Sequence, residues 1–192
     1  MVIKINIKQT YLSSLYLIGD FFYSLFNFCF ILIFLALGFG LTICWVGIPI
    51  VIFLFKIIEK LTETEIKFTE NLLPIELKRI EFNNYSGESL FSKFKLYIKD
   101  KKIWKYIQFY LLKFPLTVIT FSIALFLVLI PVVLIITPFI YNFVPYNILQ
   151  FEVTSLFSAS LMSVLGIGLS FIFFPILNKL ALKQGYLLKN LE

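Results

Sequence analysis

The chain contains no histidine, only two cysteines, and four long stretches without a single charged residue. The missing histidine removes imidazole metal sites, Ser–His and Cys–His nucleophile pairs and a phosphoacceptor histidine. Cys29 and Cys44 both fall inside predicted membrane spans, and two isolated thiols make neither a disulfide framework nor a metal site. No phosphate loop, dinucleotide fingerprint or HExxH zinc motif occurs. GESLFS around Gly87 is not a nucleophile elbow. The sequence therefore offers no catalytic, cofactor-binding or metal-binding residue, and the expected protein is not an enzyme.

What is present is apolar sequence. Phe21–Leu37, Leu41–Phe55, Leu116–Ile136 and Leu156–Leu177 hold no Asp, Glu, Lys or Arg. The chain of 192 residues is 60% hydrophobic and 19% aromatic, and its mean hydropathy is +0.94. A soluble helix needs only one apolar face, whereas these blocks are apolar all round and close to the roughly 17–25 residues that cross hydrocarbon as a helix. A transmembrane barrel would alternate polar and apolar residues, and FCFILIFLAL and IALFLVLIPVVLII do not. The expected fold is all-α: a polytopic membrane protein with four transmembrane helices in two hairpins. The spans fall at about 21–38, 41–58, 115–137 and 155–177 of one domain covering 1–192, with a cytoplasmic amphipathic segment at about 59–106.

Orientation follows from the 17 basic residues. They lie in the N-terminus (Lys4, Lys8), in the middle (Lys56 through Lys113) and in the C-terminus (Lys179, Lys183, Lys189). The turn around Gly38–Gly40 has no charge, and Tyr141–Thr154 has only Glu152. The positive-inside rule puts both termini and the middle in the cytoplasm of a cell-membrane protein. That topology accounts for the formal charge of +6 without a nucleic-acid partner.

Ile107–Val144 is too long for one upright span. Ile103–Tyr110 is read as an interfacial approach, with Lys113 snorkelling and Pro115 in the first turn of the third span. Pro131 and Pro138 then kink or end that span, and a re-entrant fifth helix after Pro131 is the alternative. The early lysines imitate a signal peptide, but no polar cleavage region follows. Gln9–Asp20 is read as interfacial, with Tyr11, Tyr16 and Tyr23 near headgroup depth.

In the middle segment Phe91, Phe94, Ile98 and Trp104 alternate with lysines, a pattern that suits an anionic leaflet or a solvated linker equally. KLYIKDKK has the composition of a nucleic-acid patch, but a juxtamembrane position already explains its charge. Asp20 and Lys113 each flank the cytoplasmic end of a span and can pair; the reading that takes precedence is two independent interfacial residues. Asn27, the deepest strongly polar side chain, is expected to bond a neighbouring helix. Ser155, Ala159, Ser163, Gly166 and Ser170 form a stripe of small residues on the last span. That stripe suits close packing within the chain, or alternatively a homodimer seam. LGFGLTICWVGIPIVIFL can also be laid on LFLVLIPVVLIITPFIYN with Pro49 over Pro138, a pattern that suggests duplication.

The order of motifs resembles the putative sensor domain family, found at the N-termini of bacterial membrane histidine kinases and as stand-alone proteins in bacteria and archaea. LGFGLTICWVGIPI (Leu37–Ile50) is similar to that family's glycine-rich turn and GIP-type helix start. Asp100–Tyr106 with Trp104, running into YLLKFPLTVITF (Tyr110–Phe121), resembles the approach to its third helix. ITPFIYNFVP (Ile136–Pro145) resembles that helix's exit, and Phe151–Gly168 the outer loop and final helix. The likeness runs from about Tyr11 to Leu188 and implies a four-helix membrane module that senses a stimulus in or at the bilayer. Ending at Glu192, without dimerisation helix, phosphoacceptor or ATP-binding domain, the chain is expected to signal through a separate cytoplasmic partner. A small transporter or channel subunit, or a scaffold on anionic lipid, are the alternatives.

Overall fold

The computed structural model describes residues 7–78, 87, 89–140, 147–148, 151–152 and 155–189. The elements are α1 (Ile7–Gly40), α2 (Gly47–Leu72), α3 (Leu90–Lys99), α4 (Lys101–Ile140), the two-residue strands β1 (Asn147–Ile148) and β2 (Phe151–Glu152), and α5 (Leu156–Lys189). β1 and β2 pair antiparallel, with Asn147 opposite Glu152. Everything else of regular structure is helical. Among the described residues three helical stretches, Lys8–Cys44, Lys101–Ile140 and Leu156–Lys189, are long and apolar enough to cross a membrane, against the four spans expected.

Each long helix outruns its expected span, because polar residues with good helix propensity continue it beyond the apolar block. α4 has 40 residues, about 60 Å at 1.5 Å per residue, against roughly 30 Å of hydrocarbon. It is continuous from Lys101, so Ile103–Tyr110 is helix rather than a separate approach. Pro115, Pro131 and Pro138 all lie inside α4, which runs unbroken past Pro131 to Ile140, with no re-entrant helix among the described residues. Pro49 sits in the first turn of α2 and Pro138 in the last turn of α4, so the alignment of the two prolines does not survive.

The first hairpin also turns later than the Gly38–Gly40 motif suggests. A short 3₁₀ helix spans Leu41–Cys44, Trp45 adopts a left-handed φ of 65°, and α2 starts only at Gly47. A Cβ on Gly47 would collide with the Gly38 carbonyl and the Thr42 amide, which fixes glycine there. α2 then runs without a break through Lys56, Glu59 and Lys60 to Leu72. The first part of the expected cytoplasmic segment is therefore a continuation of the second helix, and the uncharged part of α2 is short. The amphipathic part that stands alone is α3, started by the Ser89 hydroxyl accepting from the Ser92 amide.

Helix order in space is set by aromatic stacking and small-residue contacts. Val51 packs on Gly38, Tyr23 donates to the Leu61 carbonyl at 2.7 Å, and Tyr16 stacks on Phe68, so α1 and α2 form a hairpin. On α5, Gly166 lies against Leu134, Ile135 and the Pro131 carbonyl, so α4 and α5 form the second. α1 and α4 run antiparallel: Phe39 meets Trp104, Phe28 stacks on Phe114 with centroids 4.6 Å apart, and Phe21 stacks on Phe121 at 4.4 Å. The C-terminal ends of α1 and α4 consequently lie at opposite ends of the bundle. An arrangement with both connections on one side would need α1 and α4 parallel.

Large apolar side chains face outward as well as into the core, and charged ones are buried. Phe126, Phe139 and Phe157 are 63%, 79% and 75% exposed, while Asp20, Glu65 and Lys113 are 1%, 0% and 2% exposed. Apolar faces this extensive mark a surface meant for lipid or another apolar partner.

Candidate functional site

Four helices each contribute polar residues to one buried core, at spacings of three and four that keep them on a single face. α1 supplies Ser13, Tyr16, Asp20, Ser24 and Asn27; α2 supplies Thr62, Glu65 and Thr69; α4 supplies Tyr110, Lys113 and Thr117; α5 supplies Gln184. All are buried.

At the centre the Lys113 ammonium touches two carboxylates. Its Nζ lies 2.6 Å from Asp20 Oδ1 and in direct contact with Glu65 Oε1. Gln184 Nε2 donates to Asp20 Oδ2 at 3.3 Å and to Thr117 Oγ1 at 2.8 Å, which ties α5 to α1 and α4. The Thr117 hydroxyl donates to the Lys113 carbonyl at 2.9 Å. Tyr110 donates to Thr62 Oγ1 at 3.0 Å, joining α4 to α2. One connected network thus links α1, α2, α4 and α5. It sits where the helices change character: Asp20 precedes the first uncharged block, Lys113 precedes the third, and Gln184 follows the fourth.

Breaking such a pair from one side leaves an uncompensated buried charge, which costs about 3–5 kcal/mol. The charges do not balance within the triad, since one ammonium faces two carboxylates. Burial pushes the Glu65 carboxyl, beyond the apolar part of α2, above the usual carboxylate range, opposed by Lys113. Glu65 Oε2, Tyr16 Oη, Thr69 Oγ1 and Ser13 Oγ are buried without a hydrogen-bond partner among the described residues.

Of the residues singled out in the sequence, Asp20 and Lys113 do pair, correcting the reading of two independent interfacial groups. Asn27 is fully buried but bonds no neighbouring helix among the described residues. Tyr11 is exposed, whereas Tyr16 is buried and Tyr23 bonds α2, so two of the three supposed headgroup tyrosines belong to the interhelical core. The small-residue stripe is taken within the chain: Ala159, Gly166 and Ser170 are buried, and Ser163 Oγ donates to the Ile135 carbonyl at 3.4 Å. Cys29 and Cys44 are free thiols.

Glu65, Tyr110, Thr117 and Gln184 were not anticipated. Their signal is register. Glu65 continues the buried stripe Val51, Leu54, Ile58, Thr62 of α2, and Lys113 continues Ile103, Tyr106, Tyr110 of α4. A charged residue in the register of an apolar stripe needs a partner on the facing helix.

Long apolar helices facing outward around a buried ionic core define an integral-membrane class of protein. The model of the Putative sensor family matches residues 16–191. The chain belongs to that family, and the sequence resemblance is upheld over nearly its full length. No curated protein and no solved structure matches the chain.

Proposed function

We propose that this chain is a non-enzymatic membrane sensor or regulator that passes its state to a separate cytoplasmic protein. The observation that carries the reading is the single network through Asp20, Glu65, Lys113 and Gln184. A stimulus can act only by binding two arrangements with different affinity, and a buried network joining four helices is an element that two arrangements would share unequally. The output surface is α3 with the start of α4. There Lys93, Lys95, Lys99, Lys101, Lys102 and Lys105 surround exposed Leu90, Phe91 and Leu96. This amphipathic helix suits the anionic inner leaflet or an acidic partner.

The basic residues support four spans in the cell membrane with both termini cytoplasmic. The antiparallel packing of α1 on α4 favours a second topology, in which the Gly38–Val46 turn lies beside α3 on the cytoplasmic side and the 141–154 connection faces away. Labelling single cysteines in both connections with a membrane-impermeant reagent separates the two.

The functional test is a photo-crosslinker placed in α3 in native membranes. Capture of a histidine kinase or transcriptional regulator is the expected result. Capture of an ATPase would move the protein to transport, and capture of lipid and self alone would leave a scaffold.

A further inference from the structure

The ionic core contains two carboxylates and one ammonium, all within 2% of complete burial. Among the described residues no other charged side chain joins the two ion pairs. The titratable and charged groups facing Glu65 are Asp20, Tyr16 and Tyr23 from α1 and Lys113 and Tyr110 from α4; α5 presents the neutral Gln184. With both carboxylates ionised the core would carry a net negative charge away from water, which is costly.

Hydrogen-bond direction says where the charge is removed. The Thr62 hydroxyl donates to the Ile58 carbonyl at 2.8 Å, and a carbonyl can only accept. The Thr62 oxygen therefore accepts from Tyr110, whose single proton is spent there. Asp20 takes the Lys113 ammonium on Oδ1 and the Gln184 amide on Oδ2. Glu65 Oε2 has no donor of its own. A buried carboxylate oxygen without a donor is costly, and a proton on Oε2 removes that cost by neutralising the group.

We infer that the Asp20–Lys113–Glu65 core is a binding site for one exchangeable proton, held on Oε2 of Glu65. Uptake leaves the triad neutral: Asp20 and Lys113 remain an ion pair and Glu65 becomes an uncharged carboxylic acid. Release gives the proton to water and leaves an unbalanced carboxylate between α1, α2 and α4, which favours admitting water to the core. The inference deepens the sensor reading by naming the proton as a stimulus and rests on it for the signalling consequence, while the protonation itself is measured on the isolated chain.

The test is infrared difference spectroscopy of the full chain in lipid nanodiscs, with a heavy-carbon label on the glutamate carboxyl. At neutral pH the wild type should show a label-sensitive carbonyl stretch of a protonated buried carboxylic acid, lost as pH rises, and equal in choline, sodium and potassium chloride. Glu65→Gln should lose the band. So should Asp20→Asn, because one ammonium then balances one carboxylate. Absence of the band from the wild type at neutral pH, its persistence in either variant, or its presence in choline but not in sodium or potassium would overturn the proposal, the last in favour of an alkali cation. The wild-type spectra decide the matter even if a variant fails to fold. Failure here leaves the partner-capture result for the sensor reading untouched.

Discussion

Replacing Lys113 by methionine keeps most of the side-chain volume and removes the one charge that Asp20 and Glu65 share. Both contacts vanish together. Loss of one partner from a buried ion pair costs about 3–5 kcal/mol, chiefly through the charge left behind. With each 1.4 kcal/mol worth a factor of ten, the folded-to-unfolded ratio should fall by roughly a hundred- to several-thousand-fold. Reversible unfolding in mixed micelles, followed by circular dichroism against rising SDS fraction, reads this directly. The cause is then isolated by neutralising the partners. Lys113→Met combined with Asp20→Asn and Glu65→Gln should recover most of the loss, because no unpaired charge remains, and the substitutions should be non-additive by about 0.5–3 kcal/mol. A Lys113→Met variant within about 0.5 kcal/mol of wild type, or strictly additive substitutions, would refute the buried-triad account.

Other consequences are smaller but specific. Gly166→Leu should loosen the α4–α5 hairpin, because even a Cβ at 166 would lie 2.8 Å from Leu134 Cβ and 3.0 Å from the Ile135 amide; faster protease nicking of the 141–154 connection checks it. Trp104→Phe deletes the indole donation to the Ile98 carbonyl at 2.9 Å and should cost about 1 kcal/mol, seen as faster hydrogen exchange across α3 with α5 unchanged. Changing Lys93, Lys95 and Lys99 to glutamine should weaken binding of an α3 peptide to phosphatidylserine vesicles by roughly a hundredfold, at about 1 kcal/mol per lysine near the surface.

Much of this architecture is legible in the chain, and the limits have physical causes. The charge-free blocks announce the apolar helices, since burying backbone in lipid leaves helix as the form that satisfies it. The Ser155–Ser170 stripe announces close packing, and α4 fills it. Helix ends were less legible: GIPIVIFLFKIIEKL changes from apolar to charged without a break in propensity, so α2 passes its hydropathy boundary unmarked. The Asp20–Lys113 contact joins positions far apart in sequence, and which residue of α1 faces which of α4 depends on tertiary register. Glu65 is hidden among Glu59, Glu63 and Glu70, and only its place in the buried stripe of α2 distinguishes it. The direction of α1 relative to α4 is beyond a charge rule altogether, because that rule assigns sides of a bilayer and says nothing about neighbouring helices.

Disulfide mapping between α1 and α4 in native membranes tests the central claim most directly, in a chain with Cys29 and Cys44 replaced by serine. The Ser24 and Thr117 hydroxyl oxygens lie 3.4 Å apart beside the ionic core, and Phe39 and Trp104 meet at the far end of the same antiparallel interface. Cysteine pairs at 24 and 117 and at 39 and 104 should both cross-link rapidly under mild oxidation. No cross-link at 24 and 117, or a cross-link from 39 to 136 in place of 104, would contradict it.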